Sequence, residues 1–178
     1  MSTEQLTQWV VDHKFDRDTC RHSVNGFDAV LHCHHYASLY CQLADDAESF
    51  NGSHLLQRSS ELSFYDVLSD YFTKHNVQNL DERVALTEEY WKTCGFGTLK
   101  FDHVGELSAA AHMDHSHVDE GWIKKWGKRD KPVNFIGQGY VAAAMAAIYG
   151  LPSGSYNVYE TDSIVAGADA SRFSLVRS

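Results

Sequence analysis

Only two prolines interrupt this chain of 178 residues, and no proline-rich, glycine/serine-rich or low-complexity tract divides it. Neither an internal repeat nor a linker is visible, so one domain, 1–178, is expected, with room for a core that needs no metal or disulfide to stand. Its four cysteines, Cys20, Cys33, Cys41 and Cys94, form no CxxC pair. Their irregular spacing suits a reducing compartment better than a disulfide framework. Long apolar runs are missing too, and the amphipathic start MSTEQLTQWVVDHK has no basic segment followed by an apolar one. A soluble, cytoplasmic protein without membrane contact is therefore expected. Basic clusters are scarce: KKWGKRDK at 124–131 is the densest, against a net charge of −9 with histidines neutral. That balance argues against nucleic acid as a partner. No GxGxxG follows a candidate strand, no GxSxG precedes a helix, and HExxH does not occur, which leaves nucleotide-dependent, α/β-hydrolase and zincin chemistry without a signature.

What the chain has in quantity is histidine. Six of its 11 histidines lie in two short windows, LHCHHY at 31–36 and HMDHSH at 112–117. Nine tyrosines and nine phenylalanines would suit a pocket for an apolar or aromatic molecule, or an ordinary core.

Periodicity predicts a helical half, 1–95, followed by a mixed half, 96–178. Helices are expected over 3–12, 28–44, 53–74 and 80–95. Alternation of Leu107, Ala109, Ala111 and Met113 with more polar neighbours predicts two strands within 97–115, joined near Val104 and Gly105. Ser116 with Asp119 three residues on predicts a helix start, Pro132 a second helix ending at Gly150, and the tail around AGADA a terminal hairpin.

These last elements resemble the 4-vinyl reductase domain family over 112–176. The shared features are a small-residue helix of the form GxxxAAxxxxxG, a strand ending in Glu160, and a hairpin of the form C-x-A-x-G-x-x-x-C-x-F. The hairpin positions fall here on Ser163, Val165, Gly167, Ser171 and Phe173, so both cysteines of the family pattern are serines. The resemblance implies an α+β fold, an antiparallel sheet of about four strands packed on helices, a homodimer, and a buried pocket for a small apolar or aromatic ligand. It also implies that a structural zinc held by those cysteines is absent, because a serine hydroxyl is a poor zinc ligand. Tyr36, Met113, Tyr140 and Tyr159 are the candidate ligand contacts.

A metal is also expected from the histidines themselves. On a helix turning by about 100° per residue, His32 and His34 diverge while His32 and His35 share a face. In a continued strand, Met113, His115 and His117 share a face, and the alternation points it inward. His32, His35, His115 and His117 are thus the candidate ligands of one transition metal, iron or zinc first, with magnesium and calcium excluded by ligand softness. His34 would stand outside that set, and a histidine taken singly is more often a hydrogen-bond partner or surface residue than a ligand. Cys33 and Cys41 read as buried small hydrophobes. Three functions stay open: a small-molecule-binding domain, a metal-dependent enzyme of non-haem iron or zinc type, and a ligand-free interaction subunit.

Overall fold

The computed structural model describes residues 8–30 and 32–178, and the expected helix over 3–12 lies largely outside them; residues 8–12 are irregular. Three short strands follow, β1 (His13–Asp16), β2 (Arg21–Val24) and β3 (Phe27–Ala29), paired as an antiparallel meander. Asn25 and Gly26 join β2 to β3 with φ of 53° and 88°. A two-residue turn with both angles positive matches the twist of a hairpin, and Asn-Gly is its favoured sequence.

Two helices then run back to back: α1 (His34–Asp46) and α2 (Gly52–Lys74), linked by a single 3-10 turn at Glu48–Phe50. The sequence places the start of α1 at Asp28; it begins instead at His34, after an extended Cys33 with φ −83° and ψ 165°. Residues 27–29 form strand β3, paired with β2, so no helix starts at Asp28. Helix α3 (Leu80–Thr93) is capped by Asn79, whose side chain accepts from the Glu82 N–H at 3.0 Å. It gives way at Gly95, where φ is 79°.

The expected hairpins and helices of the second half are all present. Strands β4 (Lys100–Val104), β5 (Ser108–Met113), β6 (Tyr156–Asp162) and β7 (Ser171–Arg177) form one antiparallel sheet in the order β4-β5-β7-β6. Helix α4 (His117–Trp126) starts as the serine spacing predicts, with Ser116 Oγ accepting from the Asp119 N–H at 3.2 Å, and stops at Gly127. Helix α5 (Phe135–Tyr149) is capped by Asn134 at its start and Gly150 at its end.

Helix α5 is buried nearly all round, between α2 and α3 on one side and the sheet on the other. Its small residues make this possible. A Cβ on Gly139 would lie 2.3 Å from the Gln57 carbonyl oxygen of α2, so the two backbones approach as closely as they do only because that side chain is missing. The resulting core joins Leu68, Trp91, Tyr140, Met145, Phe173 and Leu175. The fold is thus α+β, with the four-stranded sheet expected from sequence and a three-stranded one that its pattern does not predict. Among the described residues no helix is long and apolar enough to cross a membrane.

Candidate functional site

Where the N-terminal meander lies over α2 and α3, the two do not close completely. A cavity of about 410 Å³ remains between them, within the range typical of small-ligand pockets. Trp9, Phe64, Val67, Tyr90 and Phe96 wall it on the helical side, and Val24, Phe27 and Val30 on the meander side. The aromatic wall is fixed from behind. Phe64 meets Tyr140 edge-on at 4.9 Å, Phe96 stacks on Trp91 at 4.5 Å, and Trp9 stacks on Tyr71 at 3.6 Å. Such edge-on and stacked pairs add to area burial. Tyr140 is itself locked by donating its hydroxyl hydrogen to the Thr87 carbonyl.

The polar residues at this cavity are Asn25, Asp28, Ser63 and Thr93, together with Tyr90, Cys94 and His32. Burial holds the Tyr90 phenol far above its ordinary range and raises the Cys94 thiol beside it, so both stay neutral. His32 stands at the edge, its Nδ1 3.1 Å from the Cys33 carbonyl oxygen. A carbonyl only accepts, so Nδ1 carries a hydrogen, and in the neutral ring Nε2 is then the acceptor.

The two histidine windows do meet, through His32 and His117 of the expected set and through His34, which that set left out. His117 lies 5.9 Å, ring centre to ring centre, from both His32 and His34, and 6.1 Å from Phe96. The His117 N–H donates to the Phe96 carbonyl at 2.9 Å, which fixes that neighbourhood. Burial, then the nearby His32 and His34, hold the His117 imidazole below its ordinary range, and burial and His35 do the same for His34. His34, set aside from sequence, is thus a member of this cluster.

His115 does not join it, and His35 reaches it only through His34, the two rings lying 4.2 Å apart centre to centre. Because α1 starts at His34, His32 lies before the helix and shares no helical face with His35, which is exposed and sits 3.7 Å from the Cys33 sulfur. The inward alternation of β5 ends at Met113; a bend at Asp114 and His115 passes the inward position to Ser116, which bridges to Gly97. His115 therefore points out, 73% exposed beside Glu120 at 3.7 Å. The expectation that its face looks inward is corrected by that bend. Among the described residues, no group of three or more His, Cys, Asp or Glu side chains is arranged to hold a metal ion.

Nor do the four candidate ligand contacts gather on the aromatic cavity. Met113 and Tyr140 are enclosed in the core, Tyr140 just behind Phe64, while Tyr36 and Tyr159 are exposed. Tyr159 instead lines two polar clefts beside β6, of about 430 and 570 Å³. The walls that do form the cavity, Phe64, Tyr90 and Phe96, come from three separate stretches. Of the two cysteines read as buried, Cys41 is, with its thiol pushed up to about 12 by burial, and Cys33 is exposed.

Of the two serines of the terminal hairpin, Ser171 is built into a buried polar network. Ser171 Oγ donates to Asp119 Oδ2 at 3.2 Å and accepts from the Ile164 N–H at 3.1 Å. Asn134 Nδ2 donates to the same carboxylate oxygen at 2.9 Å and to Ser116 Oγ at 3.0 Å, while its Oδ1 caps α5 at the Gly137 N–H. Glu160 accepts from Gln138 at 3.2 Å. Burial, then the charge of Asp119, raises the Glu160 carboxyl to about 8; burial raises Asp119 as well.

The fold as a whole is similar to that of the phenol-responsive sensory domain of the transcription activator PoxR, solved with phenol. The two superpose with a TM-score of 0.76 at 13% identity, over 93% of this chain and 84% of that one. A weaker likeness, TM-score 0.49 at 7% identity over 80% of this chain and 95% of the other, is to a trafficking protein particle complex subunit 3 from Naegleria fowleri covalently bound to palmitic acid. No family model matches the sequence, and no curated protein matches it. The 4-vinyl reductase resemblance is compatible with the fold.

Proposed function

We propose that this domain binds one small aromatic or apolar molecule carrying a single polar group, in the cavity between the N-terminal meander and helices α2 and α3. The observation that carries this is the cavity itself: about 410 Å³, walled by Trp9, Phe64, Tyr90 and Phe96 and edged by one oriented imidazole. Apolar walls with few placed polar groups are what bind and orient a small organic molecule. The His32 Nε2 lone pair accepts the hydrogen of a ligand hydroxyl, and the ring slots against Phe64 and Phe96. In this reading the histidine cluster serves the pocket, with neutral His34 and His117 backing His32. Similarity of fold to a phenol-responsive sensory domain supports the choice of ligand class.

Phenol is the natural probe. Calorimetric titration of the full chain should give one binding site with micromolar affinity, and benzene should bind more weakly. His32→Ala should remove most of the preference for phenol, a loss of roughly 3- to 10-fold for one hydrogen bond. Absence of heat at millimolar phenol would defeat the proposal, and an unchanged phenol preference in His32→Ala would remove the imidazole from it.

A further inference from the structure

The aromatic cavity has one fixed wall and one loose one. Helices α2 and α3 are held in place by packing against α5, whereas no residue from His13 to Ala29 is fully buried. Among the described residues, the hydrogen bonds and ion pairs of this stretch run only within it or back to Val10 and Asp12. Asn25 bonds to both of those, and Lys14 pairs with Asp12 at 2.9 Å. None reaches α2 or α3. The tether to the body is Trp9, buried and stacked on Tyr71, together with the Val10 N–H donating to the Tyr71 hydroxyl at 3.0 Å. At the far end Val30 is 84% exposed, and the next anchor among the described residues is His32, against His117. A three-stranded meander this small has no core of its own, so its seating rests on its apolar underside, Val24, Phe27 and Ala29. That underside faces the cavity.

We propose that residues 13–29 are a lid over this cavity, which swings on its two tethers and closes onto α2 when a ligand fills the space beneath. This rests on the ligand site proposed above. A ring in the cavity gives Val24, Phe27 and Ala29 a surface to pack on, so the ligand binds the closed form better than the open one and shifts the balance toward it. Opening costs little, because it breaks no hydrogen bond of the meander. The seam itself is shaped for closure. A second cleft of about 370 Å³ continues the first beneath the meander, with Asn25, Phe27 and Val67 lining both. Asp12 and Lys14 stand on one lip of it, Asp70 and Lys74 on the other. Each lip now pairs with itself, Lys14 with Asp12 and Lys74 with Asp70 at 2.8 Å. Closure brings Lys14 of the lid to Asp70 of α2, so a pair within one lip is exchanged for a pair across the seam.

Cys20, exposed in the turn between β1 and β2, is a natural site for a nitroxide on the lid. A second label at Asp66→Cys, exposed on α2, with Cys33 and Cys94 changed to serine, lets electron–electron resonance read the distance between them in the full chain. The ligand-free protein should show a broad distribution, and saturating phenol should shrink its width by roughly half, toward the shorter distances, as one form is selected. Lys14→Glu sets like charges across the seam and should weaken phenol binding roughly 2- to 5-fold. Adding Asp70→Lys should restore it, which a mere loss of the Asp12 pair would not allow. A single narrow distribution in the ligand-free protein would overturn the lid, whatever calorimetry shows of phenol. A broad distribution that phenol leaves unchanged, in a protein that calorimetry shows to bind it, would overturn closure on the ligand. Phenol failing to bind at all is a calorimetric result that sinks the pocket, and the ligand-free width still decides whether the meander moves.

Discussion

Replacing Glu160 with glutamine should leave the melting temperature at pH 5 nearly unchanged and raise it by about 10 °C at pH 9. The folded carboxyl is raised to about 8 from an ordinary 4.5, first by burial and then by the charge of Asp119. A group raised on folding is bound to its proton more tightly in the native state than in the unfolded chain. Its contribution is therefore complete below the unfolded value and is lost as pH climbs from about 4.5 through about 8. At pH 9 the native protein must hold an ionised carboxylate among buried oxygens, at a cost on the order of 5 kcal/mol by the usual conversion. A neutral amide of the same shape escapes that cost, and each kcal/mol moves the midpoint of a chain this size by about 2–4 °C. Asp119, raised in the same direction, adds slope to both proteins, with a smaller share in the variant because the charge it repels at Glu160 is gone. Superimposable stability curves for the two proteins across pH 5–9 would show that Glu160 is ionised or well solvated in the native state.

Filling the aromatic cavity should abolish phenol binding without harming the fold. Val67 lies on α2, partly buried, with its side chain on the cavity wall. Val67→Phe adds a ring to that space, and because no packed side chain occupies it, the added atoms gain contacts rather than displacing neighbours. Stability should hold or rise slightly, while phenol affinity falls at least 100-fold, since the ligand now competes with a covalently attached ring. Retained affinity in a folded Val67→Phe protein would put the ligand elsewhere, the polar clefts beside Tyr159 being the next places to look.

The parts of the fold that are legible in the sequence are those whose local signals and tertiary fate agree. Ser116 caps the helix that follows, and Gly95 and Gly150 lie where two others end. The alternation of Ala109, Ala111 and Met113 reports the buried face of β5, whereas Leu107, read with them, lies before the strand and is exposed. The first 30 residues are different: strands β1 to β3 have three or four residues each and are largely exposed, so their pattern carries little hydrophobic contrast. Asn25-Gly26 is the readable sign there.

The same stretch decides how much of the site is legible. A helix begun at Asp28 puts His32 and His35 on one face, whereas the extended stretch before His34 sends His32 toward His117 and the aromatic wall instead. The bend after Met113 has the same effect on His115, because one irregular residue inverts every later in-or-out assignment. The cavity cannot be seen at all from spacing. Phe64, Tyr90, Phe96 and Trp9 converge only once α2, α3 and the meander are packed, and no periodicity links four residues on separate segments.

The most direct test of the pocket is to record backbone amide NMR shifts of the full chain as phenol is added. The largest saturable changes should fall on His32, Phe64, Val67, Tyr90 and Phe96, with little change at His54, Asn157 or Tyr159 in the clefts by β6. Shifts centred on those clefts, or none that saturate below millimolar phenol, would contradict the assignment of the aromatic cavity as the ligand site.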